Sequence, residues 1–177
     1  NFISFQDGQL QGFHYCNGLL ALVFQSKDDG HKDFLVCNPT SSQQRHIPRI
    51  NLLERERRFA ALNIVFHPVE SDDYKLVCVW SERYMPRNDA SQTPLRRYEF
   101  SIYSSETGTW RDAKAINGRD FVYIYFMNGM LCNGDLHWVS GRRETLCFDL
   151  DKECLNLTVP SPRMHHSESD IWDFGVS

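Results

Sequence analysis

The residues with the clearest potential for metal binding are the seven histidines and six cysteines. His165 and His166 are adjacent, and His14 lies close to Cys16 and upstream of Cys37. Structural zinc sites typically use paired ligands, such as two cysteines or two histidines a few residues apart. Neither pairing occurs at the required spacing, so the sequence predicts no metal site and no cofactor.

Catalytic motifs are also missing from the sequence. A hydrolase must bring together a nucleophile, a base and an orienting acid, and G-x-S-x-G and H-E-x-x-H are common signatures of such sites. Both signatures are absent, as are glycine-rich phosphate loops. The sequence therefore predicts that the protein is not an enzyme and has no catalytic residue.

Arginine and tyrosine side chains that could contact a partner protein surround the polar segment 83–94, which contains two prolines and is predicted to be a long loop. Both residue types are enriched at protein interfaces. Two more arginines fall in a predicted hairpin tip after Val139. The predicted partner-binding residues are Arg83, Tyr84, Arg87, Arg96, Arg97, Arg142 and Arg143.

Charge and hydropathy exclude other classes of partner. The net charge is −4 and the 19 basic residues are scattered, so no continuous basic stripe is available for nucleic acid. No apolar run approaches the ~18 residues that a membrane span needs. These features predict a cytoplasmic or nuclear protein that binds neither nucleic acid nor membrane. Most cysteines fall in apolar runs, which predicts reduced, buried thiols.

Short runs rich in β-branched, aromatic and leucine residues dominate the chain and predict an all-β fold. Residues 34–37 and 121–126 are apolar throughout, which is typical of strands covered on both faces. Trp80, Trp110 and Trp138 are predicted to pack between sheets, so replacing Trp110 or Trp138 with alanine should lower stability.

Two local patterns recur along the chain. A strand, a polar turn and a second strand occur at residues 36–45, 102–111 and 147–155. Asn-Gly before an apolar strand occurs at 17–18 and 133–134, with a weaker copy at 128–129, and this dipeptide favours tight hairpins. Because one four-stranded propeller blade takes ~40–50 residues, the chain is predicted to form a partial propeller-like arc of three to four antiparallel blades.

These segments resemble the plant F-box-associated (F-box/kelch-like) domain. The matching pieces follow the order found in that family: CNGLLAL (16–22), VCNPTSSQQRHIP (36–48), IVFHPVESDDYKLVCV (64–79), FSIYSSETGTWRD (100–112), NGDLHWVS (133–140) and CFDLDKE with LTVPSP (147–162). The resemblance covers residues 1–177 as one domain, and the family pattern implies truncation at its C-terminal end.

The resemblance implies a substrate-recognition module of an SCF-type ubiquitin ligase, which binds the protein target of ubiquitination. The Skp adaptor and cullin would bind only through an F-box, which this sequence does not contain. Two alternatives remain open: a truncated competitor that binds targets without ligase recruitment, and a glycan-processing hydrolase that uses a propeller face. Open propeller edges also predict possible self-association.

Overall fold

Thirteen strands and one 3-10 turn account for the secondary structure of the described residues. The computed structural model describes residues 8–50, 57–84, 95–113, 116–117, 124–140 and 144–160. The first sheet contains β1 (Gly8–Cys16), β2 (Leu19–Ser26), β3 (Lys32–Asn38) and β4 (Gln43–Ile47) in that order. Neighbouring strands are antiparallel.

The second and third sheets repeat this arrangement. The second sheet has the order β5 (Arg58–Phe66), β6 (Tyr74–Tyr84), β7 (Leu95–Ser104) and β8 (Thr109–Asp112), and a short β9 (Ile116–Asn117) also pairs with β7. After a 3-10 turn (Phe126–Asn128), the third sheet has the order β10 (Met130–Cys132), β11 (Asp135–Val139), β12 (Glu144–Asp149) and β13 (Cys154–Pro160). The prediction of an all-β fold with three to four antiparallel blades is confirmed.

Each recurring sequence pattern corresponds to an equivalent hairpin. The three strand-turn-strand segments form the β3–β4, β7–β8 and β12–β13 hairpins. Asn17 and Gly18 have φ values of 46° and 95°, and Asn133 and Gly134 have 51° and 86°. Positive φ at both positions is what a two-residue hairpin of type I′ requires, so Asn-Gly joins β1 to β2 and β10 to β11 in such turns.

The prediction for the segment 121–131 is wrong in two respects. Phe126 begins a 3-10 turn and is not part of a strand, and Asn128–Gly129 does not form a hairpin because Gly129 has a φ of −68°. Residues 118–123 lie outside the described part of the chain. Tertiary packing determines the conformation here, since Phe126 is 3% exposed and packs against the second and third sheets.

Two hydrophobic cores separate the three sheets. The first core lies between the first and second sheets and contains Trp80, which is 1% exposed. The second lies between the second and third sheets and contains Trp138, also 1% exposed. Both tryptophans are therefore core residues, as predicted.

Trp110 is only half-buried. Its indole packs on Phe34 and donates a 2.6 Å hydrogen bond to the Pro48 carbonyl. Trp110 therefore links the first two sheets.

The strand β3 is buried on both faces, as its sequence predicts. Phe34 and Val36 belong to the core against the second sheet, whereas Leu35 and Cys37 are 1% exposed on the outer face. Part of this outer face remains accessible, because Leu10, Phe13 and Tyr15 of β1 are 48%, 58% and 62% exposed. Self-association through an open flank stays a prediction.

One hydrogen-bond network joins all three sheets. We call this network the central junction. It comprises His14, Asn63, Ile64, Gly129 and Trp138, together with the Phe126 carbonyl. His14 Nδ1 accepts a 3.1 Å bond from the Ile64 amide, so the proton on Nε2 is donated to the Gly129 carbonyl at 2.6 Å. Asn63 Oδ1 accepts from the Gly129 amide at 3.1 Å and from the Trp138 indole at 3.4 Å. The innermost strands are thereby fixed to one another.

The junction makes stability depend on pH through His14. Burial lowers the pKa of His14 below its ordinary value, and the hydrogen bond to Gly129 opposes this effect only in part. The folded state therefore binds the His14 proton more weakly than the unfolded chain, whose histidine pKa is about 6.5. The stabilisation that neutral His14 contributes to the folded state is present above about pH 6.5 and is lost as the pH falls below that value.

We expect the free energy of unfolding to fall between about pH 7 and pH 5, and to fall less steeply in the His14→Gln variant. Glutamine offers an acceptor and a donor but does not titrate. Urea unfolding of both proteins across this pH range measures the difference. Identical pH slopes would show that His14 does not control this dependence.

Candidate functional site

The two ends of the sheets differ in chemistry. We call the end formed by the turns 17–18, 39–42, 67–73, 105–108, 133–134 and 150–153 the hairpin end. Two clefts line this end, one between the first and second sheets and one between the second and third. The opposite end, where β6 ends and β7 begins, carries the predicted partner-binding arginines of the second sheet.

Four of the predicted residues lie on paired strands. The prediction that the loop begins at residue 83 is wrong, because Arg83 and Tyr84 belong to β6. The strand β6 continues to Tyr84 and β7 begins at Leu95. Arg83 is directly opposite Arg96, and Arg97 is directly opposite Glu82. The structure therefore brings Arg83, Tyr84, Arg96 and Arg97 together at one end of the second sheet. Arg87, Arg142 and Arg143 lie outside the described residues.

A buried carboxylate positions two arginines at this end. Glu99 is 6% exposed, and its Oε2 lies 2.6 Å from Arg57 Nε. Its Oε1 lies 3.4 Å from Nε of Arg97, whose side chain is 39% exposed. A guanidinium has five N–H donors, so a contact through Nε leaves Arg97 donors for a partner. We call Arg57, Arg97 and Glu99, with the adjacent strand positions of Arg83 and Arg96, the arginine edge.

Sequence reasoning missed Arg57 and Glu99. Arg57 belongs to the charged run 54–58 and Glu99 to the alternating segment 97–102, and both patterns are typical of solvent-exposed faces. Glu99 is opposite Trp80 in the β6–β7 ladder and lies over the first core. An acidic residue paired with a buried tryptophan is a signal for a structural ion pair, but it becomes visible only once the strand register is known.

Charged groups of the first sheet extend this end of the molecule. Arg49 Nη1 lies 2.6 Å from Asp29, and Arg49 Nε lies 2.7 Å from Asp33. The His31 amide and then the Arg49 guanidinium lower the pKa of Asp29 to about 2. Lys32 Nζ lies 5.5 Å from the centre of the Phe59 ring, and burial lowers its pKa. Ionised side chains thus lie at this end of both the first and the second sheet.

The cleft between the first and second sheets has a volume of about 720 Å³. Arg45, Asp72 and Tyr74 contribute its functional groups, beside the apolar side chains of Leu19 and Phe66. Burial, followed by the nearby Tyr103, raises the pKa of Tyr74 to about 12. The Tyr74 phenol therefore stays protonated at neutral pH and is not a base.

The cleft between the second and third sheets has a volume of about 420 Å³ and is more acidic. We call it the acidic cleft. It is lined by Val65, His67, Glu70, Ser71, Asp73, Tyr74, Lys75, Ser104, Glu106, Gly134, Leu150 and Asp151. Four of these residues are carboxylates and one is a lysine. None of them was predicted, because they come from four turns that are distant in sequence.

One cysteine has a histidine and a carboxylate beside it, as a nucleophile would need. Cys147 Sγ lies 3.6 Å from Asp135 Oδ2 and 3.8 Å from His137 Nε2. Burial, followed by the Asp135 charge, raises the pKa of the Cys147 thiol to about 11. Because the thiolate is the nucleophilic form, this cysteine is not activated at neutral pH.

Three of the other five thiols are buried. All six cysteines are free, four of them buried, with Cys132 exposed and Cys154 half-buried. Burial raises the pKa of Cys78 well above its ordinary value. Within the described ranges, no group of three or more histidine, cysteine or acidic side chains could hold a metal ion. No helix in those ranges has the length and apolar character of a bilayer-spanning segment.

Known proteins with similar sequences have been described as F-box proteins. The family model for the F-box associated beta propeller domain matches residues 3–174. F-box protein At5g07610 of Arabidopsis thaliana is 27% identical over 160 residues, which cover 89% of this chain and 36% of that protein. F-box protein At3g17320 of the same plant is 27% identical over 158 residues, which cover 84% of this chain and 37% of that protein. The chain spans little more than a third of the length of these relatives.

Proposed function

Because the chain belongs to the F-box associated beta propeller domain family, we propose that it is a non-catalytic protein-binding module that selects the target of an SCF-type ubiquitin ligase. Relatives named F-box proteins support the ligase context. In such a protein, an F-box would contact the Skp adaptor and cullin, and this domain would contact the target.

The arginine edge is the observation that carries the proposal for target binding. Arginine is enriched among the residues that dominate interface energies, and it suits contacts with carboxylates and phosphates. Glu99 holds the guanidinium groups of Arg57 and Arg97 in place, so less side-chain entropy is lost when a partner binds. A target with an acidic surface segment fits this edge best.

The arrangement of the thiols and histidines supports a non-catalytic role. Cys147 has a histidine and a carboxylate beside it, but burial raises its pKa to about 11. Tyr74, in the cleft between the first and second sheets, remains protonated at neutral pH. These groups supply neither a nucleophile nor a general base near neutral pH.

The test is affinity purification of a full-length F-box protein that carries this domain, followed by mass spectrometry. The double variant Arg83→Glu and Arg97→Glu should lose the target proteins and retain the adaptor and cullin. Lys27→Glu, an exposed charge reversal in the β2–β3 turn, is the matched control and should retain all of them. Retention of every target by the double variant would refute target binding at the arginine edge.

A further inference from the structure

The cleft between the first and second sheets changes in chemistry across the first sheet, and we call it the first cleft. Leu19 on β2 and Phe66 at the end of β5 contribute apolar side chains, whereas β4 contributes the hydrogen-bond donors of Gln43, Gln44 and Arg45. In the order β1-β2-β3-β4, the strands β2 and β4 are two spacings apart, which is about 10 Å. The first cleft therefore has an apolar side and a donor-rich side.

The strongest donors of the first cleft are Arg45 and Tyr74, which contact each other. Tyr74 is 9% exposed, and its hydroxyl accepts a hydrogen bond from the Arg45 guanidinium. A guanidinium has five N–H donors and no acceptor, so Arg45 has donors left for a ligand. Among the described residues, no acidic side chain forms an ion pair with Arg45. Two neighbouring donor groups can therefore bind the oxygens of one anion.

Buried hydroxyl protons beside Arg45 lack an acceptor. Tyr74 Oη and Tyr103 Oη are both buried, and within the described ranges neither phenol proton has an acceptor. Tyr103 is 0% exposed, and its ring centroid lies 6.3 Å from that of Tyr74. Burying a donor without an acceptor is unfavourable, so such a group usually indicates a missing contact. At the surface of the cleft, the missing partner of Tyr74 is an acceptor, which an anion supplies and a cation does not.

The walls of the first cleft are fixed before any ligand binds. The Tyr74 amide donates to Ser105 Oγ at 2.9 Å, and the Ser105 amide donates to the Tyr74 carbonyl at 2.9 Å. Asn17 Nδ2 donates to the Phe66 carbonyl at 2.7 Å, which attaches the β1–β2 hairpin to the end of β5. A ligand would therefore find the apolar side and the donor-rich side already in position.

We propose that the first cleft binds an extended segment of a partner protein in which an acidic side chain follows an apolar side chain by two residues. The carboxylate would bind Arg45 and Tyr74, since a guanidinium can donate two parallel hydrogen bonds to a carboxylate. The apolar side chain would lie on Leu19 and Phe66. Asp72 also lines this cleft, so a carboxylate with one negative charge fits better than a phosphate group with nearly two.

The spacing of the two sides determines the spacing in the ligand. Residues two apart in an extended chain point to the same side and are about 7 Å apart, and the length of an acidic side chain covers the remaining distance. This site lies at the hairpin end, away from the arginine edge, and its function does not depend on target selection there.

The proposal can be tested by fluorescence anisotropy with the purified 177-residue chain. The probe is a nine-residue peptide of glycine and serine that contains one leucine and, two positions later, one glutamate. Its label has no carboxylate and its C-terminus is amidated, so the glutamate supplies the only negative charge. The reference peptide has glutamine in place of glutamate. We expect the glutamate peptide to bind at least about tenfold more tightly than the glutamine peptide.

Variants of the chain locate the binding site. Arg45→Gln should weaken binding of the glutamate peptide by at least about tenfold, and Tyr74→Phe, which removes only the hydroxyl, by at least about threefold. The matched control is Lys27→Gln, which removes a positive charge at the opposite end of the first sheet and should change binding by less than about twofold. Arg45 and Lys27 are exposed, so both variants should keep the melting temperature of the parent chain.

Three results would overturn the proposal: equal binding of the glutamate and glutamine peptides, equal weakening by Arg45→Gln and Lys27→Gln, or no binding at about 1 mM peptide. Because no ligase target is present and the arginine edge is unchanged in these variants, failure here does not bear on target binding at that edge.

Discussion

Replacing Gly129 with alanine is expected to lower the free energy of unfolding by about 3–5 kcal/mol. A β-carbon at this position would lie 2.7 Å from Trp138 Nε1 and would overlap the Asn63 carboxamide. Asn63 is 0% exposed, so its side chain cannot move into solvent. Its displacement would break the bonds from the Gly129 amide and to the Phe126 carbonyl at once.

Chemical denaturation of the purified variant measures this loss. Gly12→Ala is the matched control, since Gly12 is also buried but its nearest added contact is the terminal methyl of Met127 at 3.2 Å. A flexible methionine can move, so the control should cost less than about 1 kcal/mol. If both variants lose the same stability, the central junction is not the reason that glycine is needed at position 129.

Trp138→Ala is expected to destabilise the protein by about 3–5 kcal/mol. The indole packs against Phe126 with ring centroids 5.1 Å apart and also contacts Phe100 and Phe148. Its Nε1 donates to the Phe126 carbonyl at 3.1 Å within the central junction. The alanine variant would therefore leave a cavity in the second core and remove a donor from buried acceptors.

Trp110→Ala provides the comparison, measured by thermal and urea unfolding. Trp110 is half-buried, so its removal should cost about 1–2 kcal/mol, mainly through the Phe34 and Tyr103 contacts and the bond to Pro48. A larger loss for Trp110 than for Trp138 would mean that the first two sheets depend on their outer contacts more than on the junction.

The repeated hairpins could be predicted because their causes are local. Asn38 Oδ1 accepts from the Thr40 amide at 2.9 Å, and Asp149 Oδ1 accepts from the Lys152 amide at 2.7 Å, so equivalent turns are stabilised by equivalent side chains. At 17–18 and 133–134, Asn-Gly likewise favours a two-residue hairpin. Such signals are contained in a few neighbouring positions of the sequence.

The central junction and the acidic cleft could not be predicted because their partners are distant in sequence. Asn128–Gly129 has the same residues as the two Asn-Gly hairpins, but its backbone follows the hydrogen bonds of Asn63 and His14. Likewise, Glu99 looked exposed by alternation and is buried because of Arg57. In each case the deciding contact joins residues that are far apart in the sequence.

The contact between His14 and Gly129 also determines when the fold can be completed during synthesis. The two residues are separated by 115 positions, which a ribosome adds in roughly 6–23 s at about 5–20 residues per second. Hairpins form within microseconds, so the first sheet exists for seconds while the ring of His14 lacks one partner. During this interval, we expect the face of the second sheet that later packs on the third to stay uncovered, since the second core forms only after Trp138 has been translated.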